Sequence, residues 1–264
     1  MATTTADALS LLLPEGRGVW VPMDHGLTSY PVKGLEDYNS VVDECIDAGA
    51  DAIVLHKGFL SYQTSRAPWP KFVMHTSAST IHAGLDSDNK IAIANAEEAK
   101  KRGAAALSFQ INLGDPSESR MINSGGNLTS AALDHNLPVL GMVYPRGPNL
   151  IPIDNDMTNG TAHAARLAWE IGCHVAKVPW TGSQESFNQV CSAVPIPVLI
   201  ARGSNDKPFQ EILEIVEKSI EAGGAGVCMG RQIFSKPNRS DRIRALRAVV
   251  HEGKNASQAM EMMR

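Results

Sequence analysis

Residues 48–55 read AGADAIVL, in which a helix end, a glycine turn and an apolar strand follow one another. Glycine ends helices because it adopts a left-handed backbone at little cost, and a continuous apolar run suits a strand buried on both faces. The phrase returns at irregular spacing, so it predicts repeated helix-to-strand turns and not a solenoid. The four copies are AGADAIVL (48–55), RGAAALSF (102–109), IGCHVAKV (171–178) and AGGAGVCM (222–229).

Outward from these turns, short apolar runs alternate with amphipathic segments that end at glycine. Eight such runs favour a single (β/α)8 TIM barrel, with a doubly wound open sheet as the alternative. We expect one domain over residues 1–264, with residues 1–17 as an N-terminal extension. The predicted strands are Val19–Met23, Ala52–His56, Lys71–His75, Ala105–Gln110, Pro138–Tyr144, His174–Val178, Pro197–Ala201 and Gly226–Gly230. The predicted helices are Leu35–Ala48, Glu97–Arg102, Ser117–Asn136, Thr161–Ile171, Gln184–Cys191, Pro208–Ala222 and Asp241–His251.

Composition narrows the class of protein. The chain has 264 residues, 43% of them hydrophobic and 20% charged, which excludes disordered and collagen-like proteins. A formal net charge of −4 argues against a nucleic-acid partner. The four cysteines form no CxxC motif, so we expect free thiols in a reducing compartment. Without a signal-peptide pattern or a long apolar run, we predict no membrane association and a cytoplasmic location.

The carboxyl ends of barrel strands carry catalytic groups, and three candidates stand at those ends here. Lys177 lies in the apolar run HVAKVPW, where burial lowers the pKa of an amine and a neutral amine attacks carbonyl groups. Tyr144 ends another strand and suits proton transfer. Asp24 ends a run with no other charge, so it could assist proton transfer or orient a lysine. Structural roles, as a lysine facing solvent, a core tyrosine or a turn cap, stay open for each.

Glycines after the last two strands suit phosphate binding, because backbone N–H groups in tight turns bind anions. The candidates there are Gly203 and Ser204 after the seventh strand and Gly230 and Arg231 after the eighth. No GxGxxG or Walker A motif occurs, so a nucleotide cofactor has little support.

A rival hypothesis is a metal site. His25, His56 and His75 would end three adjacent strands, and three imidazoles can hold a divalent metal with an open coordination position. Such a site would predict a metal-dependent aldolase or hydrolase.

The motifs at seven of the eight strand ends resemble those of the class I aldolases of the archaeal fructose-bisphosphate aldolase type. The resemblance runs from about Val19 to the last helix. The motifs are VPMDHG (21–26), GLEDY (34–38), HKG (56–58), MHTSAST (74–80), MVYPRGP (142–148), HVAKVPWTG (174–182) and GVCMGRQIF (226–234).

The resemblance implies a Schiff-base lysine at Lys177, a proton-transfer tyrosine at Tyr144 and a catalytic aspartate at Asp24. It implies no metal or other cofactor, a homo-oligomer, and a phosphate site formed by the loops after the seventh and eighth strands, here Gly203, Ser204, Gly230 and Arg231. We expect the further substrate-binding residues to be His25, Arg146 and Arg202. In relatives a glycine pair follows the seventh strand where this chain has Arg202, and tyrosine often stands where it has Trp180. Both departures bear on the choice of substrate.

The implied reaction joins a three-carbon unit, from a phosphorylated keto sugar or dihydroxyacetone phosphate, to aspartate semialdehyde. The MDHG and HTSAST segments look most like that branch of the family. A class I fructose-bisphosphate aldolase is the first alternative. A barrel that binds a sugar phosphate without turning it over is the alternative outside enzymology.

Overall fold

The computed structural model describes residues 4–151, 156–201 and 207–263. Eight parallel strands close into a barrel in the order β1-β10-β9-β8-β7-β6-β3-β2, which confirms the predicted (β/α)8 fold. The strands are β1 (Gly18–Pro22), β2 (Ala52–His56), β3 (Phe72–His75), β4 (Ser77–Ala78), β5 (Ile91–Ala92), β6 (Ala106–Leu113), β7 (Val139–Pro145), β8 (Val175–Val178), β9 (Val198–Ala201) and β10 (Gly226–Cys228).

Helices cover the outside of the barrel. They are α1 (Thr5–Leu12), α2 (His25–Thr28), α3 (Tyr38–Asp47), α4 (Lys57–Arg66), α5 (Ala96–Lys101), α6 (Glu118–Leu133), α7 (Thr158–Glu170), α8 (Gln184–Ser192), α9 (Phe209–Glu221), α10 (Arg231–Phe234), α11 (Arg239–Val250) and α12 (Ala256–Glu261). None of the helices in the described part of the chain is long and apolar enough to cross a membrane.

The repeated glycine motif forms the helix-to-strand turns that its sequence predicts. Each of its four glycines has φ between 82° and 98°, a left-handed backbone conformation that residues with a Cβ rarely adopt. These glycines are Gly49, Gly103, Gly172 and Gly223. At the other end of α3, the Asp37 side chain accepts a hydrogen bond from the Ser40 N–H and caps the helix.

Two cores result from strands that are buried on both faces. The larger one lies between the barrel and its helices. The smaller one fills the barrel interior and includes Trp20 and Leu140. Leu12 and Leu13, at the end of α1, belong to this interior core, and the Trp20 Nε1–H donates to the Leu12 carbonyl over 2.8 Å. The segment predicted as an N-terminal extension therefore closes the barrel at the end opposite the carboxyl ends of the strands.

The structure corrects the interpretation of the region after β2. No helix was predicted between the second and third strands, but α4 begins at Lys57, directly after β2. Its apolar and polar residues do not separate into faces, so periodicity did not reveal it. The connection from β3 to β6 also carries the short antiparallel ribbon β4–β5, which no pattern predicted.

Helix α11 carries a basic cluster of four arginines, Arg239, Arg242, Arg244 and Arg247, and three of them contact neighbouring elements. Arg239 forms two hydrogen bonds of 2.7 and 2.8 Å with Glu44 on α3, and Arg247 donates to Asp51 over 3.1 Å. The Arg242 guanidinium lies 4.2 Å from the centre of the Phe209 ring. These contacts join α11 to its neighbours.

Candidate active site

A cavity of about 620 Å³ lies over the carboxyl ends of the barrel strands. It is lined by seven residues from the predicted set, so the fold brings residues from distant parts of the sequence together. Those seven are Asp24, His25, Tyr144, Arg146, Lys177, Gly230 and Arg231. Arg202, Gly203 and Ser204 lie outside the described residues.

Lys177 points from β8 into the base of this cavity. It is 6% exposed, and its Nζ lies 3.7 Å from the Met142 sulfur. Burial by itself lowers the pKa of Lys177, as the sequence predicted, but negative groups around it outweigh that effect and raise the pKa above its usual value. Those groups are Cys228, Tyr144 and Asp24. The expectation of a neutral resting lysine is therefore wrong for the ligand-free site.

Asp24 is the group that holds the charge of Lys177 at neutral pH. Burial raises the pKa of the Cys228 thiol to about 11, so at neutral pH this thiol carries no charge. The pKa of the Asp24 carboxyl, in contrast, lies well below its ordinary value. Burial raises it, but electrostatic interactions with His75, His25 and Lys177 lower it more. Asp24 and Lys177 therefore carry opposite charges in the same cavity and attract each other electrostatically.

His75 supports Asp24 from β3. Its Nε2 lies 3.9 Å from Asp24 Oδ2, and its Nδ1 lies 2.8 Å from the Ser108 hydroxyl. Burial lowers the pKa of His75 to about 3, so the ring is neutral at physiological pH. His25 Nδ1 lies 3.8 Å from Asp24 Oδ1, on the other side of the carboxylate.

The three histidines do not assemble a metal site. His56 places Nδ1 3.2 Å from the His75 backbone carbonyl, and the His56 and His75 rings meet edge to face. Among the residues that the structure describes, no three His, Cys, Asp or Glu side chains are grouped so that they could hold a metal ion. The predicted metal alternative therefore lacks a ligand set in this part of the chain.

Tyr144 and Arg146 line the cavity on the side of β7. The Arg146 guanidinium lies 5.2 Å from the centre of the Tyr144 ring. Arg146 Nε donates to Asn112 Oδ1 over 2.9 Å, and its terminal nitrogen pairs with Asp88 at 3.2 Å. These contacts fix the guanidinium at the cavity rim.

Gly230 and Arg231 line the opposite side, where α10 follows β10. A Cβ on Gly230 would lie 2.4 Å from the Pro22 carbonyl oxygen and 2.8 Å from a ring carbon of His25. Glycine is therefore required here by the close approach of β1 and not by backbone conformation.

Trp180 follows β8, at the position where the family resemblance led us to expect tyrosine. The centres of the Trp180 and Phe187 rings lie 5.1 Å apart.

Sequence reasoning missed Lys90, a second buried lysine in the cavity. It is 7% exposed and precedes β5, in the connection between β3 and β6. The segment LDSDNK around it is polar and has no periodicity, so nothing in the pattern separated it from a surface loop. Only the fold reveals that this lysine returns to the barrel mouth.

A buried lysine that shares a cavity with a carboxylate and a phenol, at the mouth of a (β/α)8 barrel, is the arrangement of class I aldolases, which form a Schiff base with their ketone substrate. The chain belongs to the DeoC/LacD aldolase family, whose model matches residues 19–236. This match confirms the expected enzyme class.

Individual relatives agree with the family. The chain is 35% identical over 255 residues to 2-amino-3,7-dideoxy-D-threo-hept-6-ulosonate synthase 1 of Archaeoglobus fulgidus, covering 96% of this chain and 93% of the relative. It is 33% identical to 2-amino-4,5-dihydroxy-6-oxo-7-(phosphonooxy)heptanoate synthase of Streptomyces griseus, covering 88% and 84%. A solved Schiff-base-forming fructose-1,6-bisphosphate aldolase superposes with a TM-score of 0.80 at 25% identity, over 94% of this chain and 99% of that one.

Proposed function

We propose that this enzyme uses Lys177 to join a three-carbon unit to aspartate semialdehyde, giving a 2-amino-6-oxoheptanoate-type product. The donor is a phosphorylated keto sugar or dihydroxyacetone phosphate. The observation that carries the proposal is the placement of Lys177 beside Asp24 and Tyr144 in a single cavity. The 35% identity to a hept-6-ulosonate synthase supports the choice of acceptor.

Lys177 forms the Schiff base in the first half of the reaction. Its ammonium gives a proton to Tyr144, which is in polar contact with the amine, while the phenol gives its own proton to the ketone oxygen. The neutral amine attacks the ketone carbon. In the resulting carbinolamine a proton moves from the nitrogen to the hydroxyl group, which leaves as water, and an iminium remains. Asp24 lies close enough to stabilise this positive charge, as it stabilises the resting ammonium.

The second half of the reaction makes the new carbon–carbon bond. The iminium withdraws electrons, so the donor loses either a carbon-bound proton or, together with the proton of its hydroxyl group, an aldehyde fragment, and a neutral enamine remains. The released proton passes through Tyr144 to the Asp24 carboxylate. The nucleophilic carbon of the enamine attacks the carbonyl carbon of the acceptor, and the proton returns through Tyr144 to the acceptor oxygen. Water then hydrolyses the iminium, which frees the product and returns the water lost earlier. In this proposal Gly230 and Arg231 hold the donor phosphate.

Borohydride trapping tests this function. Wild-type enzyme is treated with each candidate phosphorylated ketone and borohydride, with and without EDTA, and peptides are analysed by mass spectrometry. We expect a stable adduct on Lys177 that EDTA does not reduce, and none in Lys177→Met. The exposed Lys101→Met is the matched control, since that side chain is 72% exposed on α5. An absent adduct together with EDTA-sensitive turnover would contradict the proposal.

Fructose-bisphosphate cleavage is the second candidate function, favoured by the structural similarity to the Schiff-base-forming aldolase. A coupled assay separates the two. Product formation that requires aspartate semialdehyde supports the first function, whereas turnover of fructose bisphosphate alone supports the second. A cytoplasmic location and a homo-oligomeric state stay predictions of the sequence and the family resemblance.

A further inference from the structure

The barrel places cationic groups on two opposite sides of Lys177. Arg231 follows β10, two strands from β8 in one direction around the barrel. Arg146 follows β7 in the other direction, and Lys90 reaches the cavity from the connection between β3 and β6. Lys90 and Arg146 therefore lie on the side of Lys177 away from Arg231, where the proposed function puts the donor phosphate.

The Lys90 ammonium is held at the cavity wall by two hydrogen-bond acceptors. Its Nζ donates to the Ser79 hydroxyl and lies 3.4 Å from the Ser87 carbonyl oxygen. An ammonium has three donors, and within the described residues these two acceptors are its hydrogen-bond partners. One N–H is therefore left for the cavity that Lys90 lines. Burying a charged lysine costs free energy unless the charge is paired with an opposite charge and hydrogen-bonded.

The charges on this side favour an anion. Arg146 and Lys90 supply two positive charges, and Asp88, bound to Arg146 at 3.2 Å, supplies one negative charge. The buried amide of Asn112 is neutral and fixes Arg146 by accepting from its Nε. Burial and the nearby Arg146 charge lower the pKa of Lys90, while Asp88 and Asp24 partly oppose this. A bound anion would relieve the repulsion between the two cations.

We propose that Lys90 and Arg146 bind the anionic group that the acceptor aldehyde carries at the end remote from its carbonyl. This inference rests on the proposed function, in which the acceptor is aspartate semialdehyde and the anion is its carboxylate. The Asp88 carboxylate beside Arg146 suits the ammonium group of the same amino acid. The same two cations would suit the phosphate of glyceraldehyde 3-phosphate, and the experiment separates these two sources.

The test measures KM for three acceptors with donor held constant: aspartate semialdehyde, glyceraldehyde 3-phosphate and uncharged propanal. We expect Lys90→Met to raise KM for the anionic acceptor about 10- to 100-fold, the effect of losing one charged hydrogen bond. KM for propanal and the borohydride adduct on Lys177 stay unchanged. Lys90→Arg retains the charge and restores most of the affinity, and Lys101→Met behaves as wild type.

Because Lys90 is buried, Arg146→Met at the rim provides a second variant; its side chain is 46% exposed. A rise in KM confined to aspartate semialdehyde identifies the carboxylate, and one confined to glyceraldehyde 3-phosphate identifies the phosphate. An equal change for propanal, or no change for either anion, overturns the inference. Failure to trap Lys177 in wild-type enzyme would instead overturn the proposed function, so the two failures are distinguishable.

Discussion

Asp24, which follows β1, favours the protonated form of Lys177, which points into the cavity from β8. Of the groups that raise the pKa of Lys177, Asp24 is the carboxylate, while the Cys228 thiol stays protonated well above neutral pH. A charged lysine is a poor nucleophile, so this pair stabilises the resting enzyme at the expense of the first chemical step. It also provides a negative charge for the iminium that follows.

Asp24→Asn should therefore have two separable effects. Removing the carboxylate lowers the pKa of Lys177, since burial is then less opposed, and the neutral amine becomes available at lower pH. We expect the pH profile of adduct formation, measured by the rate of borohydride trapping, to shift towards lower pH. Turnover should nevertheless fall, because the iminium loses its counter-charge.

Cys228→Ser is the control for this pH profile. Burial raises the pKa of Cys228 to about 11, so at neutral pH the thiol contributes no charge to Lys177. The profile of this variant should match that of wild type between pH 6 and about pH 9. A pH profile that shifts in Cys228→Ser and not in Asp24→Asn would contradict the conclusion that Asp24 raises the pKa of Lys177.

Tyr144→Phe should lower kcat by about 10²- to 10⁴-fold and leave donor KM little changed, because proton transfer is lost and the cavity keeps its shape. Steady-state kinetics with donor and acceptor varied separately provide the measurement. Tyr62→Phe, a change on the exposed side of α4, serves as the control. A variant that loses donor affinity but keeps kcat would assign Tyr144 to binding instead.

Gly230→Ala should destabilise the protein and weaken donor binding together. The new Cβ would lie 2.4 Å from the Pro22 carbonyl oxygen, so β1 or α10 must move. Overpacking of this kind costs about 1–3 kcal/mol, or a fall in Tm of about 2–12 °C. The paired control is Gly58→Ala in α4, where a Cβ would meet no atom within 4 Å. Calorimetry and donor KM are the two measurements, and equal behaviour of both variants would contradict the steric argument.

The barrel could be predicted because its elements carry local signals. The glycines at 49, 103, 172 and 223 end helices by backbone conformation alone, and each precedes an apolar strand. Strand ends in a barrel converge at one face, so Asp24, Tyr144 and Lys177 could be assigned to a single site from the sequence. Helix bounds were accurate to within about three residues, for example Thr158 as the first residue of α7 where Thr161 was expected.

The parts that sequence did not predict depend on contacts between distant segments. The charge of Lys177 follows from Asp24, which lies more than 150 residues earlier, so burial alone gave the wrong sign for the pKa. Lys90 lies in a polar segment without periodicity, and only the ribbon β4–β5 returns it to the cavity. The His residues looked like ligands because strand ends converge, but their ring nitrogens have other partners, such as Ser108 for His75.

The last prediction concerns stability at the closed end of the barrel. Asp51 is 2% exposed, and its carboxylate accepts hydrogen bonds from the Val19 N–H over 2.8 Å, from His251 over 2.7 Å and from Arg247 over 3.1 Å. Burial raises the pKa of Asp51, but these partners lower it more, so it lies below the ordinary value of 3.8. A carboxyl with a lowered pKa in the folded state stabilises the protein above its unfolded pKa, and this contribution is lost as the pH falls below that value.

Asp51→Asn should reduce the free energy of unfolding at pH 7 by about 1.5–3 kcal/mol, because charged hydrogen bonds between β1, β2 and α11 are lost. Urea denaturation at pH 7 and at about pH 3 provides the test. The difference between variant and wild type should shrink at the lower pH, where the carboxyl of the unfolded wild-type chain takes up a proton and unfolding is favoured. Asp241→Asn, at an exposed ion pair with Arg244, should change stability by less than about 1 kcal/mol at either pH. A difference for Asp51→Asn that is the same at both pH values would show that packing, and not the charge of Asp51, stabilises this end of the barrel.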